Sequence, residues 1–246
     1  MLFVGHGSPM NAIVENEWSR GFAALSRVVE SPRAILCVSA HWFLPGVFVT
    51  GDEQPRTIHD FGGFPDELYR IHYPAPGSPS LAARVAQLTS ATPRSDWGLD
   101  HGSWSVLLHM FPKADVPVVQ LSIDARLPPS QHVALGRKLA PLRDEEVLIL
   151  GSGNVTHNLR HAFTRQDRPP WAEKFDAAAA EAAKRLDADE LAALLSTEEG
   201  RRSHPTPDHY LPLLYVAGAA VPGDKVTFPV EGFDMGSLSM RAMLFR

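Results

Sequence analysis

Ala34-Ile-Leu-Cys-Val-Ser-Ala-His-Trp42 is the stretch that decides the fold. Its first five residues are apolar without the polar alternation of a half-exposed strand, so protein has to cover both of its faces. Runs of the same kind recur at Leu2 to Val4, Val47 to Thr50, Val116 to Ile123, Val147 to Leu150, Val226 to Val230 and Leu238 to Phe245. Helical patterns separate many of them. Trp18, Phe22, Leu25 and Val29 follow at spacings of four, three and four, which places them on one helical face. Ser78 before Pro79 forms an N-cap and first-turn pair for a helix through Leu88. Ser130 to Leu142 and Trp171 to Leu195 also read as helices, the second with a break near Asp187. Continuous apolar strands alternating with helices predict an α/β protein, a single-domain three-layer α/β/α sandwich around a mixed, mostly parallel sheet. No repeat or linker divides residues 1–246.

Composition narrows the partners. Eleven histidines stand against one cysteine, which excludes an internal disulfide and the thiolate sites of zinc fingers and iron–sulfur clusters. Cys37, inside the deciding stretch, reads as a buried strand residue. A net charge of −5 provides no overall basic field for nucleic acid or an anionic membrane surface. No stretch approaches the ~20 apolar residues of a membrane span, and Met1 to Gly5 is too short for a signal-peptide core. A cytoplasmic protein acting on a small molecule is the expectation; nothing specifies an oligomeric state.

The histidines stand at informative places. His6 follows the first strand in Val4-Gly-His-Gly-Ser-Pro9, His41 follows the second in Val38-Ser-Ala-His-Trp42, and His157 follows a later one in Gly151-Ser-Gly-Asn-Val-Thr-His-Asn158. Ligands of open α/β sheets bind beyond the carboxyl ends of strands, so these three side chains can converge despite their separation in sequence. His209, in Ser203-His-Pro-Thr-Pro-Asp-His-Tyr-Leu-Pro212, precedes an apolar helical run; Asp208 reads as its N-cap and His209 as its first residue. Four imidazoles without thiolates suit a borderline divalent metal such as Fe(II) or Zn(II), with positions left open for substrate, water or O2.

Two segments, Gly51 to Pro76 and Ala91 to Ser103, read as long loops rich in Gly, Pro and aromatic residues, a length that usually serves function. The first holds His59-Asp-Phe-Gly-Gly-Phe-Pro65, whose paired glycines between Phe61 and Phe64 suit a lid over an apolar pocket. The second ends in Asp100-His-Gly-Ser-Trp104, where His101 is placed to act as acid, base or hydrogen-bond donor. His72, His109, His132, His161 and His204 read as structural or surface residues.

These residues, with Pro205-Thr-Pro-Asp-His-Tyr-Leu-Pro-Leu-Leu214 and Gly236-Ser-Leu-Ser-Met240, make the chain resemble the DOPA 4,5-extradiol dioxygenase family, a branch of the class III extradiol ring-cleaving dioxygenases. The motifs keep their order from residue 2 to about residue 240. The resemblance implies His6, His41 and His209 as ligands of a non-haem metal, Fe(II) for activity with Zn(II) as an alternative occupant. It implies His157 beside the metal as acid/base catalyst or additional ligand, and His101 as a second catalytic histidine. His59, Phe61 and Phe64 would line the substrate pocket. Where more distant class III enzymes carry a glutamate this chain has His209, so the implied ligand set is neutral. The implied reaction inserts O2 into a catechol, DOPA-like or related, and opens the ring to a muconic semialdehyde.

Two other readings fit the same ligands. A zinc-dependent hydrolase would use bound water whose pKa is lowered toward about 7. A catalytically silent protein would keep the site only to bind a metal or small molecule. Dependence on O2 separates the dioxygenase from both.

Overall fold

The computed structural model describes residues 1–29, 31–165 and 167–246. Its centre is a sheet of eight strands. They are β1 (Leu2–Gly5), β2 (Ala34–Leu44), β3 (Phe48–Thr50), β4 (Thr92–Arg94), β5 (Val118–Asp124), β6 (Val147–Gly153), β7 (Val226–Val230) and β10 (Ala242–Phe245). Their order across the sheet is β4-β3-β5-β2-β6-β1-β10-β7. The four central strands β5, β2, β6 and β1 run parallel, β3 and β10 join them antiparallel, and the sheet is mixed as expected. A separate two-stranded ribbon pairs β8 (Phe233–Asp234) with β9 (Leu238–Ser239).

Side chains of the central strands are buried on both faces. On β2, Ala34, Leu36 and Val38 enter one apolar core while Ile35 and Cys37 enter the other. β6 divides in the same way, Val147 and Ile149 against Leu148 and Leu150. A period-two strand inserted between two cores accounts for the unbroken apolar runs. One core is covered by α3 (Pro79–Thr89), α5 (Pro129–Leu139), α7 (Pro170–Lys184), α8 (Ala188–Leu194) and α10 (Leu211–Gly218). The other is covered by α1 (Glu17–Leu25) and α4 (His101–Met110). Short helices α2 (Asp66–Tyr69), α6 (Leu159–Thr164) and α9 (Glu198–Ser203) complete ten α-helices among the described residues.

Several boundaries follow the local chemistry read from the sequence. Ser78 caps α3 by accepting from the Leu81 N–H, and Asp187 breaks the long alanine-rich segment by capping α8. Others differ. The run Leu238 to Phe245 is two strands, β9 and β10, because Met240 leaves the pairing and its N–H donates to Gly232 O. The expected loop Ala91 to Ser103 contains β4 and ends inside α4, whose N-cap Asp100 accepts from the Ser103 N–H. The helix expected at His209 starts at Leu211 instead, with Tyr210 as its N-cap position. Asp208 fails to cap it because its carboxylate is engaged by the His209 ring. Pro212 then occupies the first turn, where no intrahelical donor is lost.

Candidate metal centre

The parallel neighbours β2, β6 and β1 bring their carboxyl ends to one edge of the sheet, and the strand-end histidines meet there. His6 follows β1 directly; its N–H donates to Gly153 O at the end of β6, and Asn11 Nδ2 donates to its carbonyl. His41 lies within β2 rather than after it. Pairing with β6 stops at Ser39, and the register against β5 shifts between Val38 and Phe43, so the bulged strand end turns His41 out of the regular ladder. His209 is tied to the end of β6 through the Asn154 N–H, which donates to its carbonyl, and the His157 N–H donates to Ser203 O at the end of α9.

Two glycines let these pieces touch. A Cβ on Gly102 would stand 2.5 Å from Ser39 Oγ and 3.0 Å from His41 Cδ2, so only glycine lets the start of α4 reach β2. A Cβ on Gly153 would stand 2.0 Å from His209 O. The glycines of the motifs thus serve close backbone approach.

The rings of His6, His41 and His209 form a nearly equilateral triangle, with centroids 5.1, 5.2 and 5.1 Å apart. His101, the first residue of α4, adjoins it at 3.9 Å from His41 and 5.7 Å from His6. His6, His41 and His101 each offer a nitrogen within 4.8 Å of the others, a set able to bind a metal. His157 stacks on His209 with ring centroids 3.5 Å apart. The six histidines singled out in the sequence thus divide: five gather at one point, and His59 stands further out.

Hydrogen-bond accounting assigns the ring tautomers. Ser152 Oγ donates to Gly102 O, so toward His6 Nδ1, 2.9 Å away, it accepts. His6 therefore carries its proton on Nδ1. His209 Nδ1 donates to the Asp208 carboxylate. Asp60 serves two rings: its Oδ1 accepts from His101 Nδ1 at 3.0 Å and from the His101 backbone N–H at 2.9 Å. Its Oδ2 lies 2.9 Å from His41 Nδ1, in a close contact off the ideal hydrogen-bond axis. Four rings thus have Nδ1 engaged, and Nε2 is the nitrogen left free.

The electrostatics favour a cation at that point. Burial, reinforced by the neighbouring imidazoles, holds His6 and His209 far below the ordinary histidine range. Burial and His41 lower His101. Burial also opposes charge on His41, but the Asp60 and Asp100 carboxylates outweigh it and raise this one ring. Burial works against charge on Asp60 as well, yet its contacts with His101 and His41 hold its carboxyl well below the usual range. Asp100 is fully buried, accepts from Ser39 Oγ at 2.6 Å, and is raised by burial and by Asp60.

These residues fit a divalent metal. His41 Nε2 and His6 Nε2 face each other at 3.2 Å, an approach that two lone pairs make without penalty only when a proton or cation lies between them. A nitrogen ~2.1 Å from an ion puts its ring centroid about 3.2 Å away, and three such rings at tetrahedral angles stand about 5.2 Å apart. The His6–His41–His209 triangle has that size; the 3.9 Å separation of His101 from His41 is shorter. Nδ1 groups anchored on carboxylates and a hydroxyl are the usual outer support of metal-binding imidazoles.

The aromatic loop closes one side. Phe61 packs edge-on against His101 at 5.3 Å, and Phe64 and His59 meet it edge-on in turn at 5.4 and 5.8 Å. His59 Nε2 donates to Ile71 O at 3.0 Å, within its own loop. Gly62 and Gly63 at the tip are exposed, with open space around them. The remaining histidines are structural or peripheral as expected, although His132 and His204 are buried, on Tyr215 OH and Val155 O respectively. Sequence reasoning gave Asp60 and Ser152 no role and took Asp208 for a helix cap. Only Asp208 carried a local signal, standing next to the histidine it holds; the partners of Asp60 and Ser152 come from other elements.

Comparison with known proteins places this geometry in a family. Residues 1–243 match the model for the catalytic LigB subunit of aromatic ring-opening dioxygenase. The 4,5-DOPA dioxygenase extradiol of Escherichia coli K12 is 50% identical over 97% of this chain and 92% of its own length. The protein of the same description from Beta vulgaris is 37% identical over 99% of this chain and 95% of its own. The crystal structure of an uncharacterized Escherichia coli K12 protein superposes with a TM-score of 0.85 at 45% identity, covering 98% of this chain and 97% of that one. No helix among the described residues is long and apolar enough to cross a membrane. With likeness running over nearly the whole length in sequence and in fold, the chain belongs to the family of the catalytic LigB subunit of aromatic ring-opening dioxygenases.

Proposed function

We propose that this protein is an extradiol dioxygenase that opens the ring of a catechol, DOPA or a close relative, with both atoms of O2 entering one product. Residues 1–246 act as one catalytic domain. The observation that carries this reading is the converging set of imidazoles in a chain whose family opens aromatic rings. The DOPA-like substrate is drawn from the relatives of that name.

His6, His41 and His209 hold the metal in this reading, and His157 stands beside it. Fe(II) is the occupant expected for turnover, because Zn(II) has no accessible redox change although imidazoles bind it as well. When bound, the metal supplies open positions for the catechol oxygens and O2 and a path for electrons between them.

The chain's own groups manage protons and water. Burial, and then His204, lowers His157 to about 3, so its ring is neutral at physiological pH, and its place against His209 is what makes it the group to relay a catechol hydroxyl proton. His101, with Nδ1–H fixed on Asp60, presents Nε2 as an acceptor for the substrate's second hydroxyl. Phe61, with Phe64 and His59 behind it, lines the substrate side and excludes water. The lone buried Cys37 leaves no disulfide to form, which supports a cytoplasmic setting.

The test is anaerobic reconstitution with Fe(II), or with Zn(II) in a parallel sample, followed by a panel of catechols and O2. The Fe(II) protein is expected to consume O2 and form a yellow semialdehyde, and the Zn(II) protein to do neither. Turnover without O2 would favour the hydrolase, and no turnover from a fully loaded site would favour the silent binder.

A further inference from the structure

We propose that Asp60 is a positioning residue that sets two histidines of the site at once, and that it ties the aromatic loop to the metal centre. The inference rests on the metal site of the preceding subsection. Its second carboxylate, Asp208, serves one ring, His209. Asp60 instead stands between two rings that are 3.9 Å apart, with Oδ1 on His101 Nδ1 and on its backbone N–H, and Oδ2 against His41 Nδ1.

An ionised carboxylate accepts and never donates, so His101 Nδ1, hydrogen-bonded to it, and His41 Nδ1, in contact with it at 2.9 Å, must each carry a proton. That requirement selects the Nδ1–H tautomer in both. His41 then has a bare Nε2 for the metal, and His101 has a bare Nε2 for substrate. Loss of either contact frees the ring to turn or to move its proton, and a proton on His41 Nε2 removes that ligand. The backbone bond to His101 adds a second function, because it fastens the start of α4 to the loop.

Asp60 also lies between His59 and Phe61, so any displacement of the aromatic loop moves the carboxylate. Phe61 packs on the ring that Asp60 holds, His101. Seating a substrate against Phe61 therefore bears on the same carboxylate that orients His41. Substrate binding and metal ligation are coupled through one side chain.

Asp60→Asn tests this without changing the side chain's size. Asn keeps one accepting oxygen, which the two donors of His101 retain, and turns an NH2 group toward His41 Nδ1. His41 is thereby driven to the tautomer with Nε2 protonated. Co(II) titration of metal-free protein, followed by its visible absorption and by competition with a chelator, is expected to show affinity 10- to 100-fold weaker than wild type. Asp60→Glu, which keeps a carboxylate, is expected to recover a substantial part of the loss. At saturating Fe(II), Asp60→Asn should also lower kcat more than it raises KM for catechol. Circular dichroism and thermal melting of the metal-free forms separate this from misfolding. A folded Asp60→Asn protein that binds Co(II) within two-fold of wild type would overturn the role given to Asp60, as would equal losses in the Asn and Glu variants. Failure of wild type itself to bind Co(II) would overturn the metal site and this inference with it.

Discussion

His157 lies flat on His209, ring centroids 3.5 Å apart and planes 3° from parallel. A ring stacked this way presents its edge, not its face, to the same side as its neighbour. His209 is fixed by Asp208 at Nδ1, whereas the His157 ring has no hydrogen-bond partner among the described residues. One ring is anchored as a ligand would be, and the other carries no such anchor.

His157→Gln should therefore retain the metal and lose turnover. Proton transfer by a positioned side chain is worth about 10²- to 10⁴-fold, so kcat should fall by that order while metal content per chain stays unchanged. Metal analysis on the protein used for kinetics checks both. Loss of metal in parallel with activity would make His157 a ligand.

The two candidate third ligands separate in the same assay. His209→Ala should abolish stable metal binding, because it removes one corner of the equilateral triangle. His101→Ala should leave the metal bound and impair turnover. The reverse pattern would assign the site to His6, His41 and His101.

Gly102→Ala should disturb the centre from outside it. The added methyl meets Ser39 Oγ and His41 Cδ2, and such overpacking typically costs about 1–3 kcal/mol. Lower stability in urea and weaker metal binding should appear together. Gly62→Ala, in open space at the loop tip, should leave stability within about 0.5 kcal/mol of wild type.

Acid should destabilise the fold through a buried residue outside the centre. Burial holds His132 at about 4, so the folded state refuses a proton that the unfolded chain accepts near 6.5. Its contribution is complete above pH 6.5 and is lost as pH falls toward 4. Between pH 7.5 and pH 5 the loss is about 2 kcal/mol by linkage. Urea midpoints at both values should show a smaller difference in His132→Gln than in wild type.

The layered fold was legible because a strand buried on both faces has only one compositional solution, an unbroken apolar run such as Ala34 to Val38. The strand-end histidines were legible because parallel topology converts separate sequence positions into neighbours. His41 was placed too late along its strand, since the bulge past Val38 depends on pairing with β5 rather than on local residues. The start of the last long helix was placed too early, at His209 instead of Leu211: an aspartate before a helical run reads as a cap, and here the neighbouring histidine claims its carboxylate. Asp60 was hidden for a similar reason. Its two partners come from β2 and α4, and only tertiary structure brings them together.

Ring opening by O2 at the histidine centre fixes a stoichiometry that can be measured. Protein loaded anaerobically with Fe(II) should, on mixing with DOPA or a simpler catechol, consume one O2 for each ring-opened semialdehyde formed, with no hydrogen peroxide released. Oxygen consumed without semialdehyde, or catechol left intact by a protein whose metal site is full, would contradict it.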